Sequence, residues 1–220
     1  MNINMVYTMR GGEGKTAIAM YIAFETGAGI ITNEEYTILE EHLPPERLYI
    51  LKSGQKVPKP KDNWNVVYDL AGAPDSRVLE IAEQCQNIIV PVSFDADSFK
   101  RGFGTIAEIE KINKNIIIVA NCMRDTDHKA EKVKKGEANK GRKKAQDFHF
   151  EAIEEKVKEY FDYPVFPLFK TKSFQRIKES NKSVSEILEN SPFPDLAKGW
   201  FEPSRTQMEN IMKAIGYERD

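Results

Sequence analysis

Cysteine is scarce in this chain. Two residues, Cys85 and Cys122, stand among 220, each in an apolar stretch and without CxxC spacing. That argues against a disulfide framework or a thiol metal site, and leads us to expect reduced core thiols in a cytoplasmic protein. Neither sign of charge is in excess, with 32 Lys and Arg against 34 Asp and Glu and a net charge of −2. A uniformly basic nucleic-acid binder is thereby excluded, although local basic patches are not. Long hydrophobic runs are absent too, and none approaches the ~18 apolar residues of a membrane span. The opening MNINMVYT has neither the basic nor the apolar region of a secretory signal. With a first strand expected from residue 3, no DNA-binding domain is expected ahead of it. No internal repeat or interdomain linker interrupts the pattern, so we expect a single domain over 1–220, long enough to bury a sheet covered on both faces.

What is present is an alternation of short Val/Ile-rich runs with segments of helical period, the pattern of an α/β protein with a mostly parallel sheet. Strands are expected at 3–8, 28–32, 47–51, 65–70, 87–92, 115–120 and 163–168, and helices at 15–26, 75–85, 98–112, 147–161, 183–190 and 204–215. Several strands are apolar at nearly every position, as central strands buried on both faces are. Asp97 or Ser98 would cap the helix at 98–112. The segment 52–63, rich in Pro, Lys and Gly, reads as an exposed loop.

Between the first strand and first helix lies RGGEGKT, residues 10–16. A helix N-terminus presents unpaired N–H groups and the positive end of a dipole, which attract phosphate. Gly11, Gly12 and Gly14 let the backbone wrap an anion without Cβ clashes. Lys15 would reach β- and γ-phosphate oxygens and the Thr16 hydroxyl would ligate Mg²⁺, so the spacing suits a nucleoside triphosphate. The common pattern G-x-x-x-x-G-K-S/T asks for glycine at position 9, where this chain has Met9. A plain glycine-rich connection would explain the glycines but not the Gly-Lys-Thr.

The loop resembles the deviant phosphate loop, K-G-G-x-G-K-S/T, of the ParA/MinD family of partition and positioning ATPases. The resemblance implies a three-layer P-loop NTPase fold, ATP and Mg²⁺ as cofactors, and an ATP-dependent homodimer that sandwiches nucleotide. Arg10 stands where the family's extra lysine crosses to the partner's phosphates, a catalytic role alongside Lys15. Gly11, Gly12, Glu13, Gly14, Lys15, Thr16 and Ala17 are the implied nucleotide contacts, with the Glu13 side chain expected to point away from phosphate, toward a dimer interface. NVVYDLAG (65–72) resembles the Walker B strand and second switch, which makes Asp69 a magnesium residue with Thr16, and Gly72 a γ-phosphate contact. Asp95 and Asp97, in the next strand–loop–helix, read as caps. NIIIVANCMRD (115–125) resembles the strand whose terminal asparagine reads adenine, here Asn121, and in 165–188 Pro167 and Phe169 would line the base. Where the family has D-x-D-P, this chain has Asn33, Glu34 and Glu35. Glu35 takes the place of the water-orienting aspartate, which implies slow or altered hydrolysis; alternatively the three residues only cap a helix after the second strand.

The run 129–144 holds eight basic and two acidic residues. It reads either as a solvated face or, through Lys132, Lys134, Lys135, Lys140, Arg142, Lys143 and Lys144, as a non-specific DNA contact. By resemblance, partition of a plasmid or chromosome would add a nucleoid location and a ParB-like, centromere-binding adaptor. Other classes stay open: a MinD-like membrane-positioning ATPase, disfavoured by a C-terminal helix with few basic residues; a dethiobiotin-synthetase-like ligase; and an ATP-locked scaffold that does not hydrolyse.

Overall fold

The computed structural model describes residues 2–58, 60, 64–73, 75–122, 145–169 and 173–217. Seven parallel strands form one sheet in the order β3-β2-β4-β1-β5-β6-β7. They are β1 (Ile3–Tyr7), β2 (Gly29–Thr32), β3 (Leu48–Ile50), β4 (Val66–Leu70), β5 (Asn87–Val92), β6 (Ile116–Cys122) and β7 (Val165–Phe169). The sheet is therefore wholly parallel among the described residues. Its helices are α1 (Lys15–Thr26), α2 (Ser76–Gln84), α3 (Ala96–Ile109), α4 (Ala145–Lys158), α5 (Ser173–Ser180), α6 (Val184–Glu189) and α7 (Pro194–Ala214).

Strand alternation sends side chains into two cores. Val6, Val67, Ile89, Val119 and Leu168 face α1 and α5–α7. Tyr7, Tyr68, Ile88, Val90 and Ile118 face α2–α4. This is the three-layer α/β architecture expected from the sequence. Central strands covered on both faces need apolar side chains in both directions, and every residue of β1 and β4 is buried. Cys85 is a free, buried thiol, as expected; the Cys122 side chain falls outside the described residues.

Three features of the helices differ most from the sequence reading. α3 starts at Ala96, ahead of the expected 98, and its cap is Asp95, one of the two loop aspartates read as caps, whose Oδ1 accepts from Ser98 N at 2.9 Å; Asp97 and Ser98 lie inside the helix. α5 forms where no helix was expected. α7 begins ten residues before the expected 204, with Pro203 inside it. Proline ordinarily breaks a helix by clashing with the carbonyl four residues back; here that residue is Gly199, and both positions are exposed. The buried stripe Ala197, Phe201, Ser204, Met208, Ile211, Ile215 keeps its helical period across Pro203.

Two features shape the carboxyl edge of the sheet. β1 pairs with β5 only as far as Val6 and Ile89, so the strands part before Pro91, whose missing N–H is not needed there by β1. α3 lies close over β5 because residue 102 is glycine; a Cβ there would stand 2.8 Å from Val92 Cγ2. The N-terminus of α3 thus reaches the loop that follows β1.

Candidate functional site

The loop between β1 and α1 takes its shape from two left-handed glycines, Gly12 at φ 74° and Gly14 at φ 80°, the latter capping α1. Other residues rarely adopt this conformation. The first turn of α1 carries no acidic residue, so the positive end of the helix stays uncompensated by its own side chains. Gly11 and Gly12 are exposed at the rim, and Ala17 packs half-buried against the core behind them. Lys15 is buried, its Nζ donating to the Arg10 carbonyl at 3.2 Å, so the ammonium lies folded over the loop.

Thr16 neighbours Asp69, the acidic residue near the end of β4, and its hydroxyl favours the ionised carboxylate. Asp69 is buried and its Oδ2 has no hydrogen-bond partner. Its pKa is pushed up to about 6, first by burial and also by the Glu34 charge, against the pull of Thr16 and Lys15. An orphaned buried carboxylate oxygen beside a threonine hydroxyl fits Mg²⁺, a hard cation that takes one or two protein oxygens and fills its shell with phosphate and water. Among the described residues no cluster of three His, Cys, Asp or Glu side chains offers a denser site.

Arg10 and Glu13 lie differently from the sequence expectation. Glu13 does not face outward toward another subunit. It is fully buried within its own chain, where Ser93 Oγ donates to its Oε2. The Arg10 guanidinium lies 3.0 Å from Glu13 Oε1, donates from Nη1 to both Asp95 oxygens at 2.6 and 2.7 Å, and places Nε 3.2 Å from Asp97. The Asp95 hydrogen bond is the main influence holding the Arg10 pKa above its ordinary value. Thr105 Oγ1 of α3 accepts from Met9 N at 3.1 Å, a second tie between loop and helix.

Asn121, at the carboxyl end of β6, is buried and donates from Nδ2 to the Glu13 carbonyl at 2.5 Å. It therefore braces the phosphate loop. Pro167 and Phe169 lie half-buried on the adjoining β7, in register with Ala120 and Cys122. Gly72, at φ 95°, is in the turn after β4, which Tyr7 holds by donating its hydroxyl to the Gly72 carbonyl at 2.9 Å. Asn33 brackets the same turn, accepting from Ala71 N at 2.8 Å and donating to Ala71 O at 2.9 Å. Glu35 is exposed, whereas Glu34 is half-buried and acts on Asp69. The sequence reading passed over Ser93, Thr105, Tyr7 and Glu34. For Glu34 the signal was only its place two residues past the end of β2, whose last residue, Thr32, pairs with Asp69. The basic residues Lys132, Lys134, Lys135, Lys140, Arg142, Lys143 and Lys144 lie outside the described residues.

Removing Arg10 strips a buried carboxylate of its cation. Arg10→Ala should lower stability by about 3 kcal/mol, the cost of breaking a largely buried pair, and adding Glu13→Gln should restore most of it, as read by urea denaturation. For Asp69 the folded pKa lies above the ordinary 3.8, so the folded state holds the extra proton between pH 4 and pH 6 and stability falls as pH rises through that window. Asp69→Asn should therefore raise the stability of the nucleotide-free protein at pH 7 by about 2–3 kcal/mol. The gain should vanish below about pH 4, as measured by paired denaturation curves.

No family model matches the chain, and no curated protein matches it in sequence. Solved structures do match it in three dimensions. An aspartate-to-alanine variant of McdA from Cyanothece, in complex with ATP, superposes with a TM-score of 0.60 at 11% identity, over 100% of this chain and 98% of that one. The MinD cell division protein of Aquifex aeolicus gives 0.54 at 12%, over 100% and 99%. A protein named for plasmid partition from Borrelia burgdorferi, bound to AMPPNP, gives 0.52 at 13%, over 96% and 98%. The resemblance carried by RGGEGKT and this likeness over nearly the whole length converge, and the chain has the fold of the ParA/MinD P-loop ATPases.

Proposed function

We propose that this chain is an ATPase of the ParA/MinD type, which binds ATP with Mg²⁺ between β1 and α1 and hydrolyses it slowly. The observation that carries the reading is the meeting of Thr16 with the orphaned carboxylate of Asp69 beneath a left-handed glycine loop. Those groups match the polar demands of a metal-bound triphosphate and have no evident use without one. The ATP and AMPPNP named with two of the structural neighbours support the same ligand.

In this reading the N–H groups of residues 11–17 take the α- and β-phosphates. Lys15 swings from the Arg10 carbonyl to the β,γ-bridge. Thr16 and Asp69 hold Mg²⁺, whose charge offsets the negative charge of the β- and γ-oxygens. The base lies over the ends of β6 and β7, near Asn121, Pro167 and Phe169. Glu34, on the Asp69 side of the strand end, orients the attacking water in the role the sequence pattern gave to Glu35. Two copies sandwich the nucleotide, Arg10 exchanging its acidic partners for the opposing phosphates at the cost of uncovering Glu13. The basic run at 129–144 binds DNA without base readout, its affinity falling steeply with salt, and the biological role is plasmid or chromosome partition with an adaptor protein. Among the described residues no helix is long and apolar enough to cross a membrane.

Sedimentation velocity of wild type and Lys15→Ala, with Mg-ATP or Mg-ADP, tests the reading. The expected result is a mass doubling with Mg-ATP only. The variant should stay monomeric, with ATP affinity at least about tenfold weaker, the scale of one charge-assisted contact. Undiminished ATP affinity in the variant overturns the site. In single-turnover hydrolysis Glu34→Gln should slow the reaction on the order of 100-fold, within the range of general-base catalysis, while Glu35→Gln leaves it nearly unchanged; the opposite order restores Glu35.

A further inference from the structure

Position 33 departs from the acidic pair of the resembled family, and the structure supplies a use for the departure. The Asn33 carboxamide makes a two-way bridge to one backbone residue: Ala71 N donates to Oδ1 at 2.8 Å and Nδ2 donates to Ala71 O at 2.9 Å. In register terms β2 and β4 stop pairing at Thr32 and Asp69, so the side chain continues the pairing past the strand ends, where backbone no longer can. From the other side Tyr7, fully buried, donates its hydroxyl to the Gly72 carbonyl at 2.9 Å. Three backbone groups of the turn, Ala71 N, Ala71 O and Gly72 O, are thereby fixed from the end of β2 and from β1. Gly72 itself is exposed, left-handed, and faces open space where a Cβ would be.

We propose that Asn33 and Tyr7 are positioning residues that set the Ala71–Gly72 turn to receive the third phosphate, making the site discriminate between nucleoside tri- and diphosphates. The proposal rests on the ATP reading above. Its physical core is that only an amide serves at position 33. A carboxylate of the same shape accepts from Ala71 N but has no proton for Ala71 O, and sets its charge against that carbonyl. In the reading above the N–H groups of residues 11–17 take the α- and β-phosphates, and the bridge touches none of those residues, so an error in the turn is felt chiefly at the γ position. Neither side chain touches nucleotide; both act through the turn.

The test is calorimetric titration of wild type, Asn33→Asp and Tyr7→Phe with Mg-AMPPNP and Mg-ADP, alongside thermal unfolding of each. For Asn33→Asp, AMPPNP affinity should fall about tenfold, the scale of one hydrogen bond to a charged group, with ADP affinity changed less than about twofold. Tyr7→Phe should shift the same ratio in the same direction, and serves as the second probe should Asn33→Asp not fold. Parallel losses for both nucleotides, or an unchanged ratio in both variants, overturn the positioning role while leaving the ATP reading intact. A wild-type protein that binds neither nucleotide overturns the ATP reading, and the positioning role falls with it.

Discussion

The phosphate loop of this chain is built over a buried carboxylate, and that choice organises much of what surrounds it. Glu13 sits at zero exposure inside the turn that precedes α1. Removing a carboxylate from water costs several kcal/mol unless cations and donors replace the lost hydration. The replacements come from elsewhere in the chain: the Arg10 guanidinium, the Ser93 hydroxyl and, through Arg10, the Asp95 cap of α3. The loop is thereby fastened to α3 and to the end of β5. Gly102 permits this by letting α3 lie close to Val92. For the proposed anion to bind a loop with an acid under it, the acid must be neutralised from behind, as it is here, leaving the N–H groups at the rim for the ligand.

The parallel sheet contributes in a different way. Because the described strands all run in one direction, their carboxyl ends gather the loop after β1, the Asn33–Glu34 end of β2, the Asp69 end of β4 and Asn121 of β6 along one edge. This is the edge at which ligands of open α/β sheets bind. Asp69 illustrates the balance struck there. Burial holds its pKa near 6 and leaves one oxygen without a partner, a local instability that a bound cation would relieve. Stability given up at a site in this way is typical of functional positions.

The seven strands were legible to within a few residues because doubly covered strands leave continuous apolar runs in the sequence. α1 was legible from its glycine loop and apolar run. α5 was not, since its eight residues bury only Phe174 and Ile177 among their apolar side chains, nor was the first half of α7, where local punctuation by Gly199 and Pro203 outweighed a buried stripe that only packing reveals. At the site, Lys15 and Thr16 stood out by the spacing of their loop, and Asp69 by the resemblance of its strand. The partners of Arg10 could not. Asp95 lies 85 residues away along the chain, and nothing local distinguishes a charged residue aimed at solvent from one folded under its own backbone. Glu34 and Glu35 are adjacent and chemically alike; burial beside Asp69, not residue type, separates them.

The departures from the resembled pattern explain one another. An arginine in place of the usual lysine engages carboxylates in two directions at once, Nη1 toward Glu13 and Asp95 and Nε toward Asp97. A single ammonium has no such fork. The acid at position 13 supplies the reason for that arginine, and the arginine makes the buried acid tolerable. Asn33 obeys the same logic past the end of β2, where a two-way amide bridge to Ala71 replaces a group that only accepts. Each unusual residue thus has its partner within the chain, and each partnership holds a segment facing the proposed phosphate tail. Position-by-position comparison would score these residues as losses of motif. Their contacts describe instead an alternative bracing of the same loop and turn, in which internal ion pairs and amide bridges hold the backbone that the ligand would touch.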